Sequence, residues 1–102
     1  MAENIEVRWS NEAKADLKRI FEIILDHTSS ELSARNVIKD ILQKTKNLAF
    51  TEQYQIDEYL GMPYRRMIVR HYKIIYKVQS KSEIRILQIF DSRQSPNKHR
   101  KQ

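Results

Sequence analysis

Residues 61–102 hold eleven Lys and Arg against only Glu83 and Asp91, a net +9, whereas residues 1–60 hold eight against eleven acids, a net −3. The positive charge is interleaved with strand-forming residues, as in Arg65-Arg66-Met67-Ile68-Val69 and Tyr72-Lys73-Ile74-Ile75-Tyr76-Lys77. Such a distribution suits an anionic partner, either nucleic acid or an acidic protein segment. A basic, merely solvated face is the competing reading. The same choice applies to QIFDSRQSPNKHRKQ, from Gln88 to Gln102. Arg93 stands there just past a hydrophobic run, either as part of a site or as the start of a solvated tail.

Other chemistry is restricted. The chain has no cysteine, which removes thiol nucleophiles, disulfides and thiolate metal sites. His27, His71 and His99 follow no metal-binding spacing, so neither a metal nor a cofactor is expected. His71 falls at an expected hairpin tip, where an exposed turn histidine is a commoner role than acid–base catalysis. Tyr72 and Tyr76 have the spacing of core residues on a strand, although tyrosines can also stack on bases. At 102 residues, 40% hydrophobic and 31% charged, the chain reads as one globular domain. It has no membrane-length apolar run, and MAENIEVRW carries no signal-peptide core, so a cytoplasmic location without membrane contact is expected.

Positioning these residues falls to six elements. Residues 5–9 alternate apolar and charged and predict a strand with Ile5, Val7 and Trp9 inward. Ser10 is an N-cap candidate. Ala13, Leu17, Ile20, Phe21 and Ile24 then make a helical stripe over residues 11–27, with Asp16 placed in the opening turns for its charge. Thr28 and Glu31 have capping-box spacing for a second helix with a stripe from Ala34 to Leu48. So short a link makes the helices an antiparallel hairpin. The segment FTEQYQIDEYLGMP has no clear period. Three strands follow, at residues 64–69, 72–78 and 84–90, joined by short turns. Tyr72, Ile74, Tyr76 and Val78 should face inward, with Lys73, Ile75 and Lys77 on the other side. The expected fold is α+β, in the order β-α-α-β-β-β. A twisted antiparallel-rich sheet carries both helices on one face and buries Leu17, Ile20, Phe21, Ile24, Val37, Ile41, Ile74 and Ile86. Residues 1–92 form the domain and 93–102 a basic tail.

The element order, with WSNEAKADLKRIFEII near the start, RRMIVRHYKIIYKV in the middle and ILQIFDSRQSP at the end, resembles the RelE/ParE superfamily of toxins from bacterial type II toxin–antitoxin modules. The resemblance spans nearly the whole chain. It implies a protein that arrests growth when free and is neutralised by an antitoxin encoded by an adjacent gene, in a toxin–antitoxin hetero-oligomer. RelE-like members cut mRNA on the ribosome, whereas ParE-like members poison DNA gyrase without being nucleases. The two long helices resemble ParE-like members more, so gyrase is the expected target; an mRNA endonuclease is the alternative. A non-catalytic RNA-binding module is a third reading.

An RNA-cutting member would need a proton acceptor, a proton donor and cations for the strained phosphate. On that resemblance the catalytic candidates are Arg66, Lys73, Arg93 and His99, with Lys98 or His99 where some members carry a tyrosine. Nuclease members usually have arginine at the position of Lys73, and lysine lacks the two-pronged grip on phosphate. Target or antitoxin contacts are expected from Arg65, Arg66, Lys73, Lys77, Arg85, Arg93 and Lys98. Arg66, Lys73 and Arg93 are expected to converge on one surface.

Overall fold

A computed structural model describes residues 4–93. The elements are β1 (Glu6–Trp9), α1 (Asn11–Thr28), α2 (Glu31–Lys46), β2 (Tyr64–Val69), β3 (Tyr72–Ser80) and β4 (Glu83–Asp91). The sheet order is β1-β4-β3-β2: β2, β3 and β4 form an antiparallel meander, and β1 lies parallel to β4. Period-two alternation sends Met67 and Val69 of β2, Tyr72, Ile74 and Tyr76 of β3, and Ile84 and Ile86 of β4 to one face, and a register shift at Leu87 brings Ile89 to the same face. Ala13 and Ile20 of α1 and Val37 and Ile41 of α2 close over them. Both helices therefore lie on the same side of the sheet, as the sequence predicts. No helix among the described residues is long and apolar enough to cross a membrane.

Two local expectations are corrected. Ser30, rather than Thr28, caps α2, accepting from the Ser33 amide at 3.1 Å. Helix α1 runs on through Thr28, whose hydroxyl donates to the Ile24 carbonyl at 2.7 Å; Glu31 instead pairs with Arg35 one turn on, at 2.8 Å. Leu17, Phe21 and Ile24 are half-buried, not buried, because Ala13, Asp16 and Ile20 take the innermost line of α1.

Asp16 is the unexpected member of that line. Strand β1 ends at Trp9, opposite Ile86, so β4 continues beyond its parallel neighbour. Helix α1 supplies the missing partners: the Ser10 hydroxyl donates to the Leu87 carbonyl at 3.0 Å, and Asp16 Oδ2 accepts from the Ile89 amide at 2.9 Å. Asp16 Oδ1 also accepts from Arg19 at 2.6 Å. Asp16→Ala strips a buried amide of its acceptor and should cost about 1–3 kcal/mol in urea unfolding. Asp16→Asn, which keeps an acceptor oxygen, should cost less.

Candidate functional site

Residues 47–63, the stretch without a clear period, fold back over the edge and outer face of the sheet. Ile56 bridges to Arg65, the Asp57 amide donates to the Tyr64 carbonyl at 2.8 Å, and the Arg66 amide donates to the Gln55 carbonyl at 3.0 Å. The Asp57 carboxylate then starts a turn by accepting from the amides of Tyr59 (3.1 Å) and Leu60 (2.9 Å), the habit of aspartate at loop reversals. Gly61, at φ +72°, supplies the left-handed residue that completes the turn before β2. Arg65 and Tyr76 fasten the earlier part. Arg65 donates to the Tyr54 carbonyl at 2.7 Å, and the Tyr76 hydroxyl donates to the Thr51 carbonyl at 2.8 Å.

This strap changes the standing of Lys73. On either reading of the sequence, as a contact surface or as a solvated face, Lys73 should be open to solvent, yet it is 6% exposed and its neighbour Ile75 is fully buried. Lys73 Nζ donates to Asp57 Oδ1 at 2.9 Å and to Glu58 Oε1 at 3.4 Å, and lies 5.0 Å from the Tyr59 ring and 5.7 Å from that of Phe90. Arg66 pairs with the same Glu58 and donates to the Gln55 side chain at 2.8 Å. Burial pushes the Asp57 carboxyl up, but its hydrogen bonds from Lys73 and the two turn amides bring it below the usual carboxylate range. Glu58 is also lowered, first by its own backbone amide and further by Lys73 and Arg66. The cations that would face an RNA phosphate on this surface are held by carboxylates of the same chain.

Arg93 lies elsewhere. Its Nε and Nη2 donate to the Asp91 carboxylate at 3.0 and 2.7 Å, and its amide donates to the same group at 2.9 Å. That grip lowers Asp91 below the usual carboxylate range. Arg66 and Lys73 meet at Glu58, whereas Arg93 turns to Asp91 and a groove of about 600 Å³ against the helix hairpin, so the expected convergence of all three does not occur. Ile23, Ile24 and Tyr72 give that groove apolar walls, and Arg70 and His71 also line it.

Arg70 is a groove residue that the sequence reading passed over. It sits in the left-handed region at φ +56°, in the tight turn between β2 and β3, and its guanidinium reaches Asp40 of α2 at 2.8 Å. A basic residue beside His71 at the hairpin tip was the only available signal. His71 itself is half-exposed, 3.9 Å from Asp91. Lys77 is half-buried and Arg85 exposed, both at the open end of the outer face. Lys98 and His99 lie outside the described residues.

The outer side of the hairpin carries two shallow recesses that share Phe21 and Ile38 and reach to Leu17 and Leu42. Lys14, Lys18, Arg35 and Lys39 rim them. An apolar strip between cations suits an amphipathic segment with acidic flanks.

The chain can now be set beside known proteins. No curated protein sequence matches it. Its structure is similar to a chain of the chromosomal ParDE toxin–antitoxin system from P. aeruginosa, with a TM-score of 0.69 and 22% identity over 85% of this chain and 95% of that one. It is also similar to a conserved hypothetical protein from Helicobacter pylori, with a TM-score of 0.56 and 13% identity over 88% and 97% of the two chains. At these identities the likenesses speak for the fold. The sequence itself matches, over residues 7–96, the family described as the ParE toxin of the type II toxin–antitoxin system parDE. With nine-tenths of its length inside that family and its β-α-α-β-β-β fold shared with a ParDE chain, the protein belongs to the ParE toxins of type II toxin–antitoxin systems.

Proposed function

We propose that this toxin arrests growth by ParE-like poisoning of DNA gyrase, and not by cutting mRNA. The observation that carries this reading is Lys73, almost fully buried and bonded to Asp57 and Glu58. A cation that must stabilise a pentacovalent phosphate has to reach it, and displacing Asp57 would leave a buried carboxylate without its cation. The paired Arg66 is similarly engaged. A ribosome-dependent nuclease would need these residues free.

The cognate antitoxin, encoded by an adjacent gene, covers the cationic hairpin face with a segment that folds as it binds. Phe21, Ile38 and Leu42 receive its apolar side, and the rimming lysines receive its acids.

Expressed alone in a bacterial host, the protein should slow growth, and co-expression of the neighbouring small gene should restore it. Purified toxin with gyrase and plasmid should accumulate cleaved DNA complexes while translated mRNA stays intact. Breaks at translated codons without any effect on gyrase would replace this reading with the nuclease one. Normal growth at high soluble expression would remove both.

A further inference from the structure

Four side chains stand in one row across the outer face of the sheet. Tyr64 of β2 is registered opposite Lys77 of β3, Lys77 opposite Arg85 of β4, and Arg85 opposite Arg8 of β1. The alternation that turns Val7, Tyr76, Ile84 and Ile86 toward the core turns these four away from it. With neighbouring strands about 4.8 Å apart, the three cations span about 10 Å.

Like charges placed directly opposite on neighbouring strands destabilise a sheet. Arg8 is relieved by Glu6 at 3.2 Å and Glu83 at 3.5 Å. Among the described residues, Lys77 and Arg85 have no such ion pair. The strap that covers Lys73 does not neutralise this end. Lys77 and Arg85 line a recess of about 240 Å³ with Ser10, Tyr64, Gln79 and Leu87, and Glu12 is the one carboxylate in its wall.

We propose that this row, centred on Lys77 and Arg85, binds the phosphate backbone of duplex DNA. Two adjacent cations without an ion pair among the described residues are relieved by an anion from outside the chain. Phosphates follow one another along a DNA strand at about 3.4 Å of rise, so a row of about 10 Å takes roughly three. A single strand would need exposed aromatic platforms for its bases, and the row's one aromatic, Tyr64, is half-buried. An acidic peptide would need an apolar groove to hold its chain, and Leu87 is the one aliphatic residue that lines the recess.

The test is fluorescence anisotropy of the full-length toxin with a labelled duplex of about 20 base pairs, from about 50 to 200 mM salt, a range over which phosphate contacts weaken steeply. Lys77→Ala with Arg85→Ala should flatten the plot of log affinity against log salt by about 1.8, since each phosphate contact contributes about 0.9. Lys14→Ala with Lys39→Ala, which removes the same charge from the helix hairpin, should leave the slope unchanged. Removing the opposed charges should not lower the melting temperature, which keeps unfolding from imitating the result. Equal flattening by both pairs, or no flattening by the first, overturns the proposal. Tighter binding of single-stranded RNA or of polyglutamate than of the duplex overturns it in favour of those partners. Because gyrase is absent from the assay, failure here leaves the gyrase reading standing, and failure of that reading leaves this one standing.

Discussion

Asp57→Ala is expected to lower the melting temperature by more than about 10 °C. Breaking a buried ion pair from one side costs about 3–5 kcal/mol, and each kcal/mol moves a domain of this size by several degrees. The substitution leaves the Lys73 ammonium in the sheet face without its nearest carboxylate, 2.9 Å away, and releases the turn amides of Tyr59 and Leu60. Strap and strand lose their tie together. The pH dependence has a defined sign. A carboxyl whose folded pKa lies below its ordinary value of 3.8 stabilises the fold fully above that value and loses the contribution as pH falls toward the folded one. The wild type should therefore lose stability on acidification below about pH 4, and the variant should lose less over that window. Asp57→Leu combined with Lys73→Met should recover much of the loss, because a buried pair is often replaceable by apolar side chains of similar volume. A single alanine variant that melts with the wild type would mean that the pair does not hold the strap.

Architecture was legible where a period ran long enough. Tyr72, Ile74 and Tyr76 marked the inner face of β3 by alternation alone, and the helical stripes marked both helices of the hairpin. Alternation speaks only of which face a residue takes, not of what covers that face. Lys73 was placed correctly on the outer side, but its burial depends on Asp57, sixteen residues away in a connector with no period. In the sequence Thr28 reads as the cap of α2, but residues 28–30 are three hydroxyl side chains in succession, and the place of Ser30 follows from where α1 ends. Asp16 was assigned to the helix dipole, whereas the truncation of β1 gives it a buried amide to hold. Each of these features required the register between distant segments. The likeness to the toxin superfamily supplied the fold and the family, but its site positions proved to be divided between two faces.

Arg93→Ala is expected to weaken growth inhibition by about tenfold or more, on the scale of an arginine anchor at an interface, while leaving the melting temperature nearly unchanged. The fold should tolerate the change because the side chain is 69% exposed and its ion pair with Asp91 is a surface one. Function should not, because of how the arginine is held. Three hydrogen bonds from its amide, Nε and Nη2 fix it on one carboxylate, and the preceding Ser92 is tied to the His71 carbonyl by both amide and hydroxyl at 2.7 Å. A long side chain whose guanidinium is held on one carboxylate while most of its surface stays exposed has already lost the rotamer freedom that binding would otherwise cost. It stands beside an apolar groove whose Ile23 is 47% exposed, a surface that a protein target would cover. Arg93→Lys keeps the charge but loses the planar fork, so it should be intermediate. Lys101→Ala, an equal loss of charge, should have little effect. Full toxicity of Arg93→Ala, or a loss that tracks unfolding in the melt, would make the Asp91–Arg93 pair a clasp for the end of β4 and nothing more.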